Sequence, residues 1–81
     1  MTRDAIEKKI NDFLHDEFEI DEQMLLPDAQ LKDDLEIESL DFVDIVVIIE
    51  DEFGFKVKNE DIIHLRTLSD LYEYIENQVQ M

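Results

Sequence analysis

The chain has 81 residues, 44% of them apolar, with 23 acidic side chains against 7 basic ones and a net charge of −16. That length supports a single domain over residues 1–81 with one modest core, and the charge excludes nucleic acid and anionic membranes as direct partners while favouring basic protein surfaces. Cysteine is absent, which excludes a disulfide framework, a thiolate zinc site and a thiol nucleophile supplied by the chain itself.

The first residues, Met1 to Glu7, lack the apolar run of a signal peptide. No 18-residue apolar stretch exists to span a membrane. The expectation is a cytoplasmic monomer.

A first helix is predicted from about Asp4 to Phe18, capped by Thr2 or Asp4. Ile6, Ile10, Phe13, Leu14 and Phe18 fall on one face of it. From Glu19 to Glu38 the periodicity is lost, and Pro27 argues against one long helix. Ile20, Met24, Leu25, Leu26, Leu31 and Leu35 are nonetheless too many apolar groups for a solvated linker. The reading is a long ordered loop lying against the helices and delivering Ser39 to a fixed position.

The second helix is predicted from Leu40 to Phe53, with Ser39 as its N-cap. Gly54, the one glycine of the chain, stands where a helix ends on a left-handed residue. The run Ile45 to Ile49 is apolar all round, so this helix is expected to be central. Residues 33–55 hold nine acids and no base, a charge bias stronger than solubility alone requires.

Phe55 to Lys58 alternates in polarity but has no second strand to pair with, so an extended link is expected. A short helical turn should follow from Glu60 to about Leu65, capped by Asn59 and burying Ile62. Thr67-Leu68-Ser69-Asp70 resembles a capping box with Asp in place of Glu. The last helix then presents Leu68, Leu71, Tyr72, Ile75 and Val79 on one face. The fold class is therefore all-α, a bundle of three main helices and one short one.

Ser39 carries the most chemical interest. A helix N-terminus favours an attached phosphate, and the surrounding acids disfavour a free anion, so a phosphate here is better held covalently. His15 and His64 form no serine-histidine-acid pattern with it. The segment from Asp33 has Leu35, Ile37 and Glu38 at its third, fifth and sixth positions, which does not suit a calcium loop.

The stretch from Leu31 to Ile75 resembles the acyl carrier proteins. Their Asp-Ser-Leu hallmark at the start of the second helix is matched, with one change, by Glu38-Ser39-Leu40-Asp41. The helix body from Val43 to Glu50-Asp51-Glu52-Phe53 is similar to the family's acidic recognition helix, and Val57, Glu60-Asp61, Thr67-Leu68 and Asp70 to Ile75 follow without a gap. The resemblance implies that Ser39 carries 4′-phosphopantetheine, added from coenzyme A by a phosphopantetheinyl transferase, with acyl groups held on the arm as thioesters. It implies no catalysis by the domain itself. It places Glu38, Leu40, Asp41, Asp44, Val47, Glu50 and Asp51 at the surface that meets basic patches on acyl-transferring and synthase enzymes. Two departures stand out: Glu38 replaces the usual Asp, and Glu36 stands where glycine is common. They leave room for a specialised cargo such as a hydroxyacyl, polyketide or D-alanyl group. An unmodified acidic docking module and an acidic cation-binding protein are the readings from other classes.

Overall fold

The computed structural model describes residues 2–79, the side chain of Asn59 excepted. Among these residues four α-helices follow in order: α1 (Arg3–Phe18), α2 (Ser39–Phe53), α3 (Asn59–Ile62) and α4 (Leu68–Val79). A 3₁₀ turn, Glu22–Met24, interrupts the long connection between α1 and α2. The all-α bundle of three long helices and one short one agrees with the sequence pattern.

α1 starts where Thr2 Oγ1 accepts the Ala5 N–H at 3.2 Å. Its apolar stripe of Ile6, Ile10, Phe13 and Leu14 is buried, and so are Leu68, Leu71, Tyr72 and Ile75 of α4. These two helices make the most extensive helix–helix contact in the fold. Full burial of an Ile or Leu is worth roughly 1.5–3 kcal/mol, so this seam is the main source of stability. Arg3 lies over it, pairing with Glu7 at 3.2 Å and Glu76 at 3.8 Å and stacking 5.5 Å from the Tyr72 ring centre. Those half-buried surface ion pairs contribute about 1 kcal/mol each at most. The Tyr72 hydroxyl donates to Asn11 Oδ1, and burial, helped by the Glu7 charge, pushes its pKa up to about 12.

α1 ends on Glu19, a non-glycine residue in the left-handed region at φ 56. The connection that follows is ordered, as its apolar content requires. Ile20, Leu25, Ala29, Leu31, Leu35 and Ile37 are buried. Three backbone bonds pin it to the start of α4: Leu31 N–H to Arg66 O at 2.8 Å, Leu68 N–H to Ala29 O at 2.9 Å and Ser69 N–H to Pro27 O at 2.9 Å. Met24 and Leu26, expected against the core, are instead 44% and 58% exposed. The 3₁₀ turn, capped by Asp21 accepting from Gln23 N–H at 3.0 Å, turns only Leu25 inward.

α2 differs from its expected place. It is not central: of its residues only Ile45 and Ile49 are fully buried, while Leu40, Val43 and Val47 are 80%, 57% and 60% exposed. A helix apolar all round still packs along one stripe when its neighbours cover one side only. It ends on Gly54 at φ 75, as expected.

The chain from Gly54 to Lys58 is an extended link, again as expected. Val57 is buried, and its N–H donates to Glu50 Oε2 at 2.9 Å. Phe55 stacks between Phe53 at 6.5 Å and Tyr74 at 6.2 Å, tying the end of α2 to α4. In α3 Ile62 is buried, and the Tyr74 hydroxyl donates to Asp61 Oδ2 at 3.0 Å. The cap expected from Asn59 lies outside the described residues. The Thr67 capping box is present in full: Thr67 Oγ1 accepts from Asp70 N–H, and Asp70 Oδ2 accepts from Thr67 N–H, both at 3.2 Å.

Candidate functional site

The start of α2 is built one residue earlier than the sequence suggested. Ser39 is the first helical residue, and Glu38 is the N-cap with extended backbone at φ −92 and ψ 170. The Glu38 N–H is taken by Asp41 Oδ2 at 3.0 Å. Ser39 is therefore not the cap. Its side chain is exposed, and its hydroxyl has no hydrogen bond among the described residues. The physical reason is that Asp41, at the third helical position, reaches back to the backbone N–H of Glu38 and so fixes Glu38 as the residue before the helix.

The turn before this point is held tightly. Leu35 and Ile37 are buried on either side of Glu36, and Ile37 N–H donates to Leu31 O at 2.9 Å. Glu36 takes φ 55, a left-handed conformation that suits glycine and strains a residue with a side chain. The backbone thus follows the glycine-type turn even though glycine is missing.

One face of α2 runs from Ser39 through the exposed Leu40, Val43 and Val47, with exposed Asp44 and Asp51 beside them. Of the acids singled out in the sequence, Glu38, Asp44 and Asp51 are exposed, and Asp41 and Glu50 are half-buried. Asp41 is engaged with Glu38 N–H and Glu50 with Val57 N–H. Glu52 pairs with Lys9 of α1 at 3.3 Å. The acids are not equivalent: some hold the fold and others face water. Val43 belongs to this face as much as Leu40 and Val47 do, and its place at i+3 from Leu40 was the signal for it.

Ser39 also borders an apolar hollow of about 170 Å³ between α2 and the α3 segment, lined by Phe42, Val43, Ile62, Ile63 and Leu65 with Lys32 at its rim. A second, shallower hollow beside it is lined by Lys32, Glu36, Ile37, Glu38 and Ser39. The sequence pointed to Ser39 and α2 but not to Ile62, Ile63 or Leu65 as neighbours of Ser39, because that segment has no periodicity to orient it.

The histidines stand apart. His15 Nδ1 lies 2.9 Å from Ile20 O at the end of α1, and that bond, with Glu22, Asp16 and Asp21 nearby, raises its pKa. His64 is in the turn after α3. Neither lines the hollows at Ser39. Among the described residues no three His, Asp or Glu side chains come together as a metal site.

An exposed serine, released from capping, at the mouth of an apolar hollow fits a covalently attached phosphate with an organic arm. The positive end of α2 faces the Ser39 hydroxyl, and the hollow offers apolar shelter alongside it.

Comparison with known proteins agrees with this geometry. The chain matches the family model described as phosphopantetheine attachment site over residues 8–75. It is 35% identical over 77 residues to an acyl carrier protein of Lactobacillus johnsonii, covering 95% of this chain and 96% of the relative. It is 36% identical over 78 residues to one of Thermotoga maritima, covering 96% of each. A third, from Thermosynechococcus vestitus, is 30% identical over 79 residues and 98% of each chain. The chain belongs to the acyl carrier protein family, and its function is to carry acyl intermediates on a covalently bound 4′-phosphopantetheine group.

Proposed function

We propose that Ser39 is the attachment residue, and that the face of α2 beginning there is where transferases and acyl-handling enzymes dock. The observation that carries this reading is the exposed Ser39 hydroxyl, freed from capping by Glu38 and Asp41 and placed at the mouth of the apolar hollow. The other serine, Ser69, is half-buried and receives a bond from Arg3 Nη2 at 3.4 Å. Attachment proceeds by attack of Ser39 Oγ on a pyrophosphate phosphorus of coenzyme A, with the adenosine bisphosphate as leaving group. The arm supplies the thiol that this chain lacks and holds the cargo as a thioester.

The cargo is an acyl chain of fatty-acid, lipid or related synthesis. The open hollow of about 170 Å³ beside Ser39, lined by Phe42, Val43, Ile62, Ile63 and Leu65, offers the start of such a chain an apolar surface to lie against. Hydroxyacyl, polyketide and D-alanyl cargo remain the alternatives on this reading. Asp44 and Asp51 beside Leu40, Val43 and Val47 offer a basic partner both charge and apolar contact, an arrangement that speeds encounter more than it tightens binding. Acyl carrier proteins are carriers and not catalysts, and no helix among the described residues is long and apolar enough to cross a membrane. On this reading the chain acts as a cytoplasmic monomer.

The test is intact mass after incubation with coenzyme A and a broad-specificity transferase. Wild type is expected to gain one arm, and Ser39→Ala none, with circular dichroism showing both folded. An adduct on Ser39→Ala, or one mapped to Ser69, overturns the assignment.

A further inference from the structure

Lys32 is the one lysine or arginine between Ile10 and Phe55. It sits among acids, with Asp33, Asp34 and Glu36 within four residues, yet among the described residues it forms no ion pair. Asp34, two residues on, has a carboxylate oxygen committed to Gln30 N–H at 2.8 Å. Lys32 instead lines both of the hollows that touch Ser39.

Its position is fixed by the backbone around it. Leu31, its neighbour, is 1% exposed and donates its N–H to Arg66 O at 2.8 Å. Asp34 and Leu35 N–H groups both donate to Gln30 O, at 2.9 and 3.0 Å. The turn is thus held in place, and it keeps Lys32, which has no ion-pair partner among the described residues, on the lining of both hollows that touch Ser39, the serine that the preceding reading assigns as the attachment residue.

We infer that Lys32 is a positioning residue for the arm: its ammonium binds the phosphodiester formed on Ser39 and offsets the repulsion of that phosphate by Glu36, Glu38 and Asp41. The inference rests on Ser39 as the attachment site. A lysine is suited to the task, since it meets phosphate as a mobile point charge that follows the arm between the two hollows.

The experiment uses the arm-bearing protein as wild type, Lys32→Gln, Lys32→Arg and, as a control of equal charge change on exposed α1, Lys8→Gln. The readouts are the ³¹P resonance of the phosphodiester and the side-chain ammonium resonance of Lys32 before and after arm addition. The expected result is a shifted ³¹P resonance in Lys32→Gln alone, recovery in Lys32→Arg, and a Lys32 ammonium signal that moves when the arm is added. Raising salt to roughly 0.5 M, where the screening length falls to about 4 Å, should carry the wild-type ³¹P resonance toward that of Lys32→Gln. A ³¹P resonance identical in wild type, Lys32→Gln and Lys8→Gln overturns the inference while leaving Ser39 in place. Equal shifts in Lys32→Gln and Lys8→Gln overturn it too, by showing only the general field. Absence of any adduct on wild-type Ser39 removes both readings.

Discussion

Replacing Glu36 by glycine should make the protein more stable, although Glu36 lines the same hollow as Ser39. Glu36 is held at φ 55 between Leu35 and Ile37, both buried, so the turn cannot relax to a right-handed conformation without pulling one of them from the core. A left-handed backbone costs a residue with a side chain about 1–2 kcal/mol. Glycine avoids that cost but gives back about 0.5–1 kcal/mol through its freer unfolded chain. The net gain at mid-range is about 0.75 kcal/mol, which for a domain of this size raises the melting temperature by about 3–6 °C. Glycine also removes a carboxylate from a cluster of nine, and that second effect has to be separated. Glu36→Ala removes the same charge and keeps the Cβ, so the difference between the two variants reports the backbone alone. The assay is thermal unfolding of wild type, Glu36→Gly and Glu36→Ala at one ionic strength. The expected order is glycine highest, by the margin above over alanine. Glycine and alanine variants melting together would show that the turn stores no strain and that charge alone explains any gain over wild type.

Capping gives a second contrast. Ser39→Ala should change stability by only a few tenths of a kcal/mol, because Ser39 is inside the helix, whereas Asp41→Ala should cost about 1 kcal/mol through loss of the bond to Glu38 N–H; chemical denaturation of both variants checks this. Salt from low concentration to about 0.5 M should raise the melting temperature by screening the acids of residues 33–55, and an unchanged midpoint refutes that. His15 binds its proton more tightly folded than unfolded. Its contribution is therefore complete below its ordinary pKa and fades as pH rises through the raised value. The stability gap between wild type and His15→Gln should accordingly be wider at pH 6 than at pH 8, and a gap that widens with pH contradicts the assignment of the Ile20 bond.

The parts of this fold that could be read from sequence are those where chemistry leaves a periodic or punctuating mark. Ile6, Ile10, Phe13 and Leu14 repeat with the helix, as do Leu68, Leu71, Tyr72 and Ile75, and both stripes are buried. Thr2, Gly54 and the Thr67–Asp70 pair mark helix ends and do so in the structure. The placement of α2 was not legible, because Ile45 to Ile49 is apolar on every side and carries no sign of which side packs. Its exposed stripe of Leu40, Val43 and Val47 forgoes burial worth several kcal/mol, which is consistent with a surface kept open for partners. The left-handed residue Glu19 carries no local signal, since the glycine or asparagine that normally marks such a backbone is missing, and at Glu36 the pointer came only from the resemblance, in which glycine is common at this place. The cap at α2 lies one residue before the expected one because Glu38 and Ser39 are adjacent and only the position of Asp41 separates the two registers. The division of the acids into structural and free ones depends on tertiary partners such as Val57 N–H and Lys9, which lie far along the chain.

The central claim is that Ser39 and the acidic, partly apolar face of α2 act as one surface. It is tested most directly by the rate at which one transferase adds the arm to Ser39 in Asp44→Lys and in Asp12→Lys. Both variants change net charge equally, both positions are exposed, and Asp12 lies on α1. Circular dichroism confirms that each is folded, and the rates are taken at two ionic strengths. The account predicts that Asp44→Lys slows addition markedly, that Asp12→Lys slows it little, and that the gap narrows as salt rises. Equal slowing by the two variants would contradict it and leave the acids of α2 as a solvated face.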